Sequence, residues 1–363
     1  MSINVYTDIN KLNSKSWDLN TENIYFLKYK FLKSFFNNHK NITHLFVLEK
    51  SNRLYGHIFN LNIKNIAHYS SNYLFKYFSN LIIGFLNIKF LYLTNSFITN
   101  TKAFQLNSVF NLDKIIASII LKNKIDFIVV PDFLYENKKN INLNLNTPFT
   151  KVEIEEEMYI DISAKWTDFD SYNNELKTKY RKRVNKVFHK SKNVKIKILS
   201  NDEFDKYEVQ LQDLFNNVTS HAKFTGPTFN VMTLKDLCLI HKEFKVYGYY
   251  DNDNLIAFSS EFTVDNNLYS YFVGFNYDLN KKFSLYERIL CENINHAIKN
   301  KNSRLILGRT ANEFKSNFGA IPKKSYIYIN INNRLYSLLF RGFLKKIKPK
   351  KWIQRSPFKV SKN

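Results

Sequence analysis

One pattern that occurs twice limits what this chain can fold into. "HLFVLEKSNRLYGHIFNL" (44–61) and "KVYGYYDNDNLIAFSSEF" (245–262) both read as strand, polar turn, strand. Further along each half, "LDKIIASIILKNKIDFIVV" (112–130) and "LYERILCENINHAIKNKNSRLILG" (285–308) both read as helix, basic helix end, buried strand. A meander followed by a helix and another strand needs a mixed sheet with helices packed on it. The expected class is therefore α/β (α+β) with mixed sheets, in two tandem domains of similar pattern. The boundaries fall at 1–150 for an N-terminal, degenerate domain, 151–335 for a C-terminal domain and 336–363 for a basic terminal segment.

With 363 residues, 44% of them hydrophobic, the chain can bury two packed cores. Glycine (8) and proline (6) are scarce, so the turns rely on Asn, Asp and Ser. The first helix is expected over about 23–38. Two more are expected over about 202–221 and 230–243, and an Asn- and Lys-rich loop over 136–149. The most apolar stretch, 73–93, is interrupted by Lys76, Asn80, Asn87 and Lys89 and falls short of a membrane span. The N-terminus has no leader pattern, so a cytoplasmic location is expected. Cys238 and Cys291 lie in apolar helical stretches without metal-ligand or disulfide spacing, and no metal site is expected.

The formal charge is +23. Abundant Lys, Asn, Ile, Phe and Tyr have A/T-rich codons, which accounts for part of that excess. Nucleic acid or an anionic membrane surface remains a partner class consistent with the rest. Only nine basic residues are arginine, so each marks a place where a planar two-pronged donor is of use.

Three regions concentrate polar chemistry. "SLYE" (284–287) and "TANE" (310–313) each have the spacing of a capping box at a strand-to-helix junction, where free amides can receive an anion. Lys281 and Lys282 precede the first. Arg309 ends an apolar strand before the second, Lys315 follows it, and Gly319 is expected to close the helix in the left-handed region. The helix "KTKYRKRVNKVFHKSK" has an apolar stripe through Tyr180, Val184, Val187 and Phe188 and a basic face that includes Arg181 and Arg183. The C-terminal "RGFLKKIKPKKWIQRSPFKVSKN" contains no acid; it reads equally as a solubilising tail and as a segment that touches anionic lipid or RNA. Nucleotide-binding and hydrolase fingerprints are missing.

"YFVGFNYDLNKKFSLYERIL", "ILGRTANEFKSNFGA", "KYRKRV" and "WIQRSPFK" resemble GNAT-like acyltransferases of the FemAB kind. The resemblance is best over 160–358; across 1–150 it rests on pattern alone. It implies two tandem GNAT-like domains and an N-acyltransferase that uses acyl-CoA, such as acetyl-CoA, as donor. The acceptor would be an amino group on a small molecule, sugar or cell-envelope precursor. "YSYFVGF" would be the fourth core strand of the second domain. The donor pyrophosphate would meet Lys281, Lys282, Phe283, Ser284 and Leu285. That turn departs from the family pattern because it has no glycine, which leaves aminoacyl-tRNA as the alternative donor. A non-catalytic binder of RNA or membrane on the same fold is a further alternative. Candidate catalytic groups are Glu261 as base and Tyr286 or Tyr271 as acid. Tyr180, Arg181, Arg183, Arg309 and Lys315 are candidates for binding the acceptor or the donor's phosphates.

Overall fold

The computed structural model describes residues 3–21, 24–61, 87–98, 100–137, 141–142, 148–220 and 226–359. The strands are β1 (Asn4–Tyr6), β2 (Thr43–Glu49), β3 (Asn52–Leu61), β4 (Ile88–Tyr92), β5 (Phe104–Gln105), β6 (Phe110–Asn111), β7 (Phe127–Pro131), β8 (Ile141–Asn142), β9 (Thr150–Asp161), β10 (Val194–Ile198), β11 (Lys245–Asp251), β12 (Asn254–Val264), β13 (Asn267–Phe275), β14 (Arg304–Gly308) and β15 (Ile321–Ile331). The chain folds into two compact units. Unit 1 comprises Met1–Ile154, Lys223–Phe229 and Lys324–Lys350; unit 2 comprises Glu155–Ala222, Asn230–Lys323 and Lys351–Asn363.

The sheet of unit 1 runs β1-β2-β3-β4-β7-β15, antiparallel except for the parallel pair β4–β7. The sheet of unit 2 runs β9-β14-β13-β12-β11-β10, antiparallel except for the parallel pair β13–β14. In both units a three-stranded meander is followed by a helix and then by a strand parallel to the meander's last. The helices are Leu112–Lys122 in unit 1 and Leu285–Lys299 in unit 2. Each buries an apolar stripe: Leu112, Ile115, Ile116 and Ile119 in the first, Leu285, Ile289, Ile294 and Ile298 among others in the second.

Several expected boundaries shift for local reasons. The helix expected over about 23–38 runs Tyr29–Asn38 and is not the first: a short helix, Ser14–Leu19, precedes it, and its Asp18 carboxylate accepts the Tyr29 amide at 2.7 Å and fixes the later helix start after a 3₁₀ turn at Tyr25–Leu27. The stretch expected over 202–221 is two helices, Asn201–Lys206 and Glu208–Ser220. The next helix spans Met232–Ile240. Of the apolar stretch 73–93, residues 73–86 lie outside the described ones; its end forms β4. Among the described residues, no helix is long and apolar enough to cross a membrane.

A buried polar chain crosses the meander of unit 1. His44 Nε2 lies 3.1 Å from the His39 carbonyl, which can only accept, so that nitrogen carries the proton. His44 Nδ1 must then accept from the Tyr55 hydroxyl at 2.6 Å, and Tyr55 in turn accepts from His57 Nε2 at 2.7 Å. His57 Nδ1 is left as an acceptor for the Ser96 hydroxyl at 2.7 Å and the Ser96 amide at 3.3 Å. One backbone carbonyl thus sets the tautomer of two imidazoles. Burial lowers His39 and His44 from 6.5 to about 4 and holds His57 well below its ordinary value. Since the unfolded chain binds these protons first, the stability of unit 1 is complete above about pH 6.5 and falls as the pH drops toward 4. Thermal melts between pH 7 and pH 4 should show that loss, with a shallower slope in His39→Phe. A melting temperature flat across this window would contradict the neutral assignment.

Candidate active site

The parallel pair of unit 2 is short. Asn267, Leu268 and Tyr269 pair with Arg304, Leu305 and Ile306, and there the ladder between β13 and β14 stops, although β13 continues to Phe275. Toward their carboxyl ends the two strands are thus no longer paired with each other, at the edge where α/β sheets admit ligands. On the β12 side the register shifts between Ser259 and Glu261, so β13 bulges opposite Ser260. The Ser260 hydroxyl holds that bulge by donating to the Phe272 carbonyl at 2.8 Å and accepting the Phe272 amide at 3.0 Å.

The wall formed by β14 and the chain after it is built around a lysine. Lys315, 3% exposed, donates to the carbonyls of Leu307 (2.8 Å), Gly308 (3.2 Å) and Arg309 (2.8 Å). An ammonium has three protons, and each has an acceptor. The backbone wraps round it with positive φ at Gly308 (67°), Thr310 (69°) and Ala311 (52°), a conformation that costs energy at the two non-glycine residues. Burial lowers the lysine to about 7, while the carbonyl dipoles and the charges of Glu155 and Glu157 favour the proton. The expected capping box at 310–313 is therefore not formed: the N-cap is Ala311 in the left-handed region without a side-chain cap bond, and the helix covers only Asn312–Ser316. Glu313 instead pairs with Arg355. Lys315 is not solvated and does not face the opening. Gly319 has φ of 90° as expected, and an added Cβ would collide with the Phe358 ring.

The end of the chain is fixed to this wall, in contrast to a free tail. Trp352 Nε1 and Asn312 Nδ2 both donate to Glu156 Oε2, at 3.0 and 2.8 Å. Gln354 donates to the Ala320 carbonyl at 2.9 Å, and the Arg355 amide to Ser316 Oγ at 3.1 Å. Phe358 lies against Trp166 and Tyr172, and the Lys359 amide donates to the Glu175 carbonyl at 2.9 Å. Residues 352–359 form a strap across the helix after β14 and the start of the basic helix Thr178–Lys190.

The structure places some of the sequence-derived residues together and separates others. Tyr286, Phe275 and Phe314 form an aromatic group near the unpaired ends, with ring centroids 5.8 and 5.3 Å from Tyr286. Arg183 lies over Phe314 at 4.8 Å and bonds Glu287 at 2.9 Å. Tyr180 packs on the same core. Arg181, half-exposed, makes no ion pair among the described residues, and Arg309 is half-exposed at the strand end. Burial raises the Tyr286 and Tyr271 phenols, so both are protonated at neutral pH. Tyr271 points to the other side of the sheet, among Phe244, Phe262 and Phe272.

Glu261 is not at the opening. It accepts from Tyr247 (3.1 Å), Asn293 (3.0 Å) and His296 (3.0 Å) under the second half of the helix Leu285–Lys299. From Tyr286 to His296 the helix rises roughly 15 Å, which puts this carboxylate well away from the unpaired ends. The polar pair Asn293 and His296, three positions apart beside the buried stripe of this helix, was the sequence signal for this network, and sequence reasoning missed it.

The stretch 276–284 also differs from expectation. It is a helix, Tyr277–Phe283, capped by Asn276, with Ser284 as a left-handed hinge (φ 52°) to the next helix. No capping box forms at 284–287, because Ser284 makes no side-chain cap bond and Glu287 is engaged by Arg183. The Tyr286 amide already donates to Asn280 Oδ1 at 3.0 Å. Phe283, Ser284 and Leu285 are buried; Lys281 and Lys282 are exposed, and Lys282 faces Asp251 at 3.9 Å. One amide of this helix start is thus already taken by a side chain of the preceding helix, which narrows what the turn offers a pyrophosphate. No group of residues that could hold a metal ion occurs among the described ones.

Among solved structures, the chain is similar to L-PGS from Bacillus licheniformis (8% identity, 93% of this chain and 98% of that one covered, TM-score 0.51). It is similar to FemX (8%, 93% and 99%, TM-score 0.50). A third is the C-terminal domain of a protein designated lysylphosphatidylglycerol synthetase from Agrobacterium fabrum (8%, 92% and 98%, TM-score 0.50). No family model matches the sequence, and no curated protein matches it. These likenesses show a GNAT-like fold of the FemAB kind.

Lys315→Met leaves three turn carbonyls without their donor and should cost about 2–4 kcal/mol of stability. With a folded value of about 7 against an ordinary 10.5, Lys315 makes stability rise with pH across that window, and the variant should lack this slope. Denaturant titrations at several pH values measure both; unchanged stability would refute the role given to this ammonium.

Proposed function

We propose that the chain transfers an acyl group from an activated ester to an amine, in the opening between β13 and β14 of unit 2, and that the donor is an aminoacyl ester of the aminoacyl-tRNA kind. The observation that carries this reading is the combination of strands whose pairing stops before their ends with a turn in which Asn280 already occupies one amide. The first supplies room and backbone for an acyl group; the second argues against a coenzyme A pyrophosphate. The fold shared with FemX and L-PGS supports transferase chemistry.

Acyl transfer to an amine needs a deprotonated nucleophile, a stabilised oxyanion and a proton for the leaving group. In this reading the amine attacks the ester carbonyl within the opening, and the bulged edge of β13 receives the developing oxyanion. Asn312, 8% exposed, has an Oδ1 with no partner among the described residues and accepts a hydrogen bond from the attacking amine. The C–O bond breaks, the Tyr286 hydroxyl protonates the departing alkoxide, and the phenolate so formed takes the proton that the acylated nitrogen sheds. A phenol raised by burial gives up its proton to an alkoxide far more readily than to a weak base such as a thiolate. Arg181 and Arg309 bind donor or acceptor phosphates. The acceptor is an amine on a small molecule, sugar or cell-envelope precursor.

The test is a transfer assay on the purified protein with aminoacyl-tRNA and, separately, acetyl-CoA, against a panel of amine acceptors, with products read by mass. Tyr286→Phe should lower turnover roughly a hundredfold at unchanged melting temperature. Arg309→Ala should weaken donor or acceptor binding. Saturable use of acetyl-CoA with tRNA ignored would overturn the donor assignment; full activity in both variants would overturn the site.

A further inference from the structure

The helix Arg334–Leu344 of unit 1 has two apolar faces where one suffices for packing. Phe340 and Leu344 are buried on the core formed with Ile88, Phe127, Val129 and Ile329, and Tyr336 and Phe343 pack beside them. The opposite face carries Leu335, Leu338 and Leu339, exposed by 62, 85 and 51%. These positions follow i, i+3, i+4, so they form one stripe. Among the described residues, the other exposed large apolar side chains do not repeat that spacing along one helix. Gly342 lies one turn further on and has open space where a Cβ would be.

The charges around this stripe identify what covers it. Arg334, Arg341, Lys345, Lys346, Lys348 and Lys350 are exposed on or just after the helix, and no Asp or Glu occurs from 334 to the end of the sequence. A second copy of the same face would bring like charges together, which disfavours self-association. Nucleic acid would engage the cations but leave three leucines in water, because stacking on bases needs aromatic or guanidinium planes. An anionic bilayer satisfies both sets at once: leucines enter the acyl boundary while lysines and arginines meet phosphate headgroups.

We infer that this helix docks the protein on an anionic lipid surface, with Leu335, Leu338 and Leu339 inserted and the flanking basic residues against headgroups. The inference is independent of the transfer chemistry in unit 2.

The measurement is co-sedimentation of the full chain with phosphatidylcholine vesicles, with and without phosphatidylglycerol, at low and physiological salt. Binding should require phosphatidylglycerol. The double variant Leu338→Asp, Leu339→Asp should bind on the order of 100-fold more weakly. Lys345→Gln and Lys346→Gln should each cost about fivefold, with the difference shrinking in salt. All four side chains are exposed, so the variants should keep the wild-type melting temperature. Retained binding by the double Asp variant would overturn leucine insertion and leave a purely electrostatic contact. Equal binding to neutral vesicles, or none to either, would overturn the proposal, as would a dimer on size exclusion that the double variant abolishes.

Discussion

The ammonium of Lys315 determines how one wall of the opening in unit 2 is built. A strand that ends in an apolar run must turn out of the sheet, and its last carbonyls lose their ladder partners as it does so. Here one buried side chain donates to all three, and the backbone takes left-handed conformations at Thr310 and Ala311 to bring them round. The same turn sets the direction of the short helix Asn312–Ser316 and so the position of Phe314 beside Tyr286 and Arg183. The strap at 352–359 then fixes this helix from outside through Glu156, Ser316, Ala320 and Glu313.

The two units solve the same problem with different chemistry. In unit 2 a carboxylate lies beneath the meander, with Glu261 shared among Tyr247, Asn293 and His296. In unit 1 they are neutral imidazoles and hydroxyls, ordered by a single backbone carbonyl at His39. A neutral chain of this kind buries polar atoms without burying a charge, and it demands that every hydrogen bond run in one direction.

Much of the fold was legible in the sequence because its signals are local. The alternation in β11 and β12, the Asn/Asp turn between them and the stripe of the helix Leu285–Lys299 are each set by neighbours within a few positions. What sequence reasoning misread depends on partners far along the chain. Thr310 and Glu313 have the spacing of a capping box, yet Lys315 draws the backbone into a turn that forbids it, and Arg355 takes the glutamate. Residues 276–284 looked like a loop because they lack hydrophobic periodicity, but Asn276 caps two amides there and starts a helix. The strap read equally as a solubilising tail and as a segment for anionic lipid or RNA because its lysines dominate the composition, while Trp352, Gln354, Arg355 and Phe358 do the attaching. Glu261 stood out as an acid on a strand; only the position of His296 on the facing helix shows where its charge is used.

The strap also bears on the order in which the molecule can be assembled. Residues 352–359 are synthesised after everything they hold, and unit 1 likewise waits for the segment Lys324–Lys350. Unit 1 therefore cannot be completed until residue 350 is made, after nearly all of unit 2, so the two do not fold one after the other as the domains of a simple tandem protein would. The wall around Lys315 is completed only once residue 359 has cleared the ribosome, so a nascent chain stalled short of that point carries the sheet of unit 2 but not a finished opening.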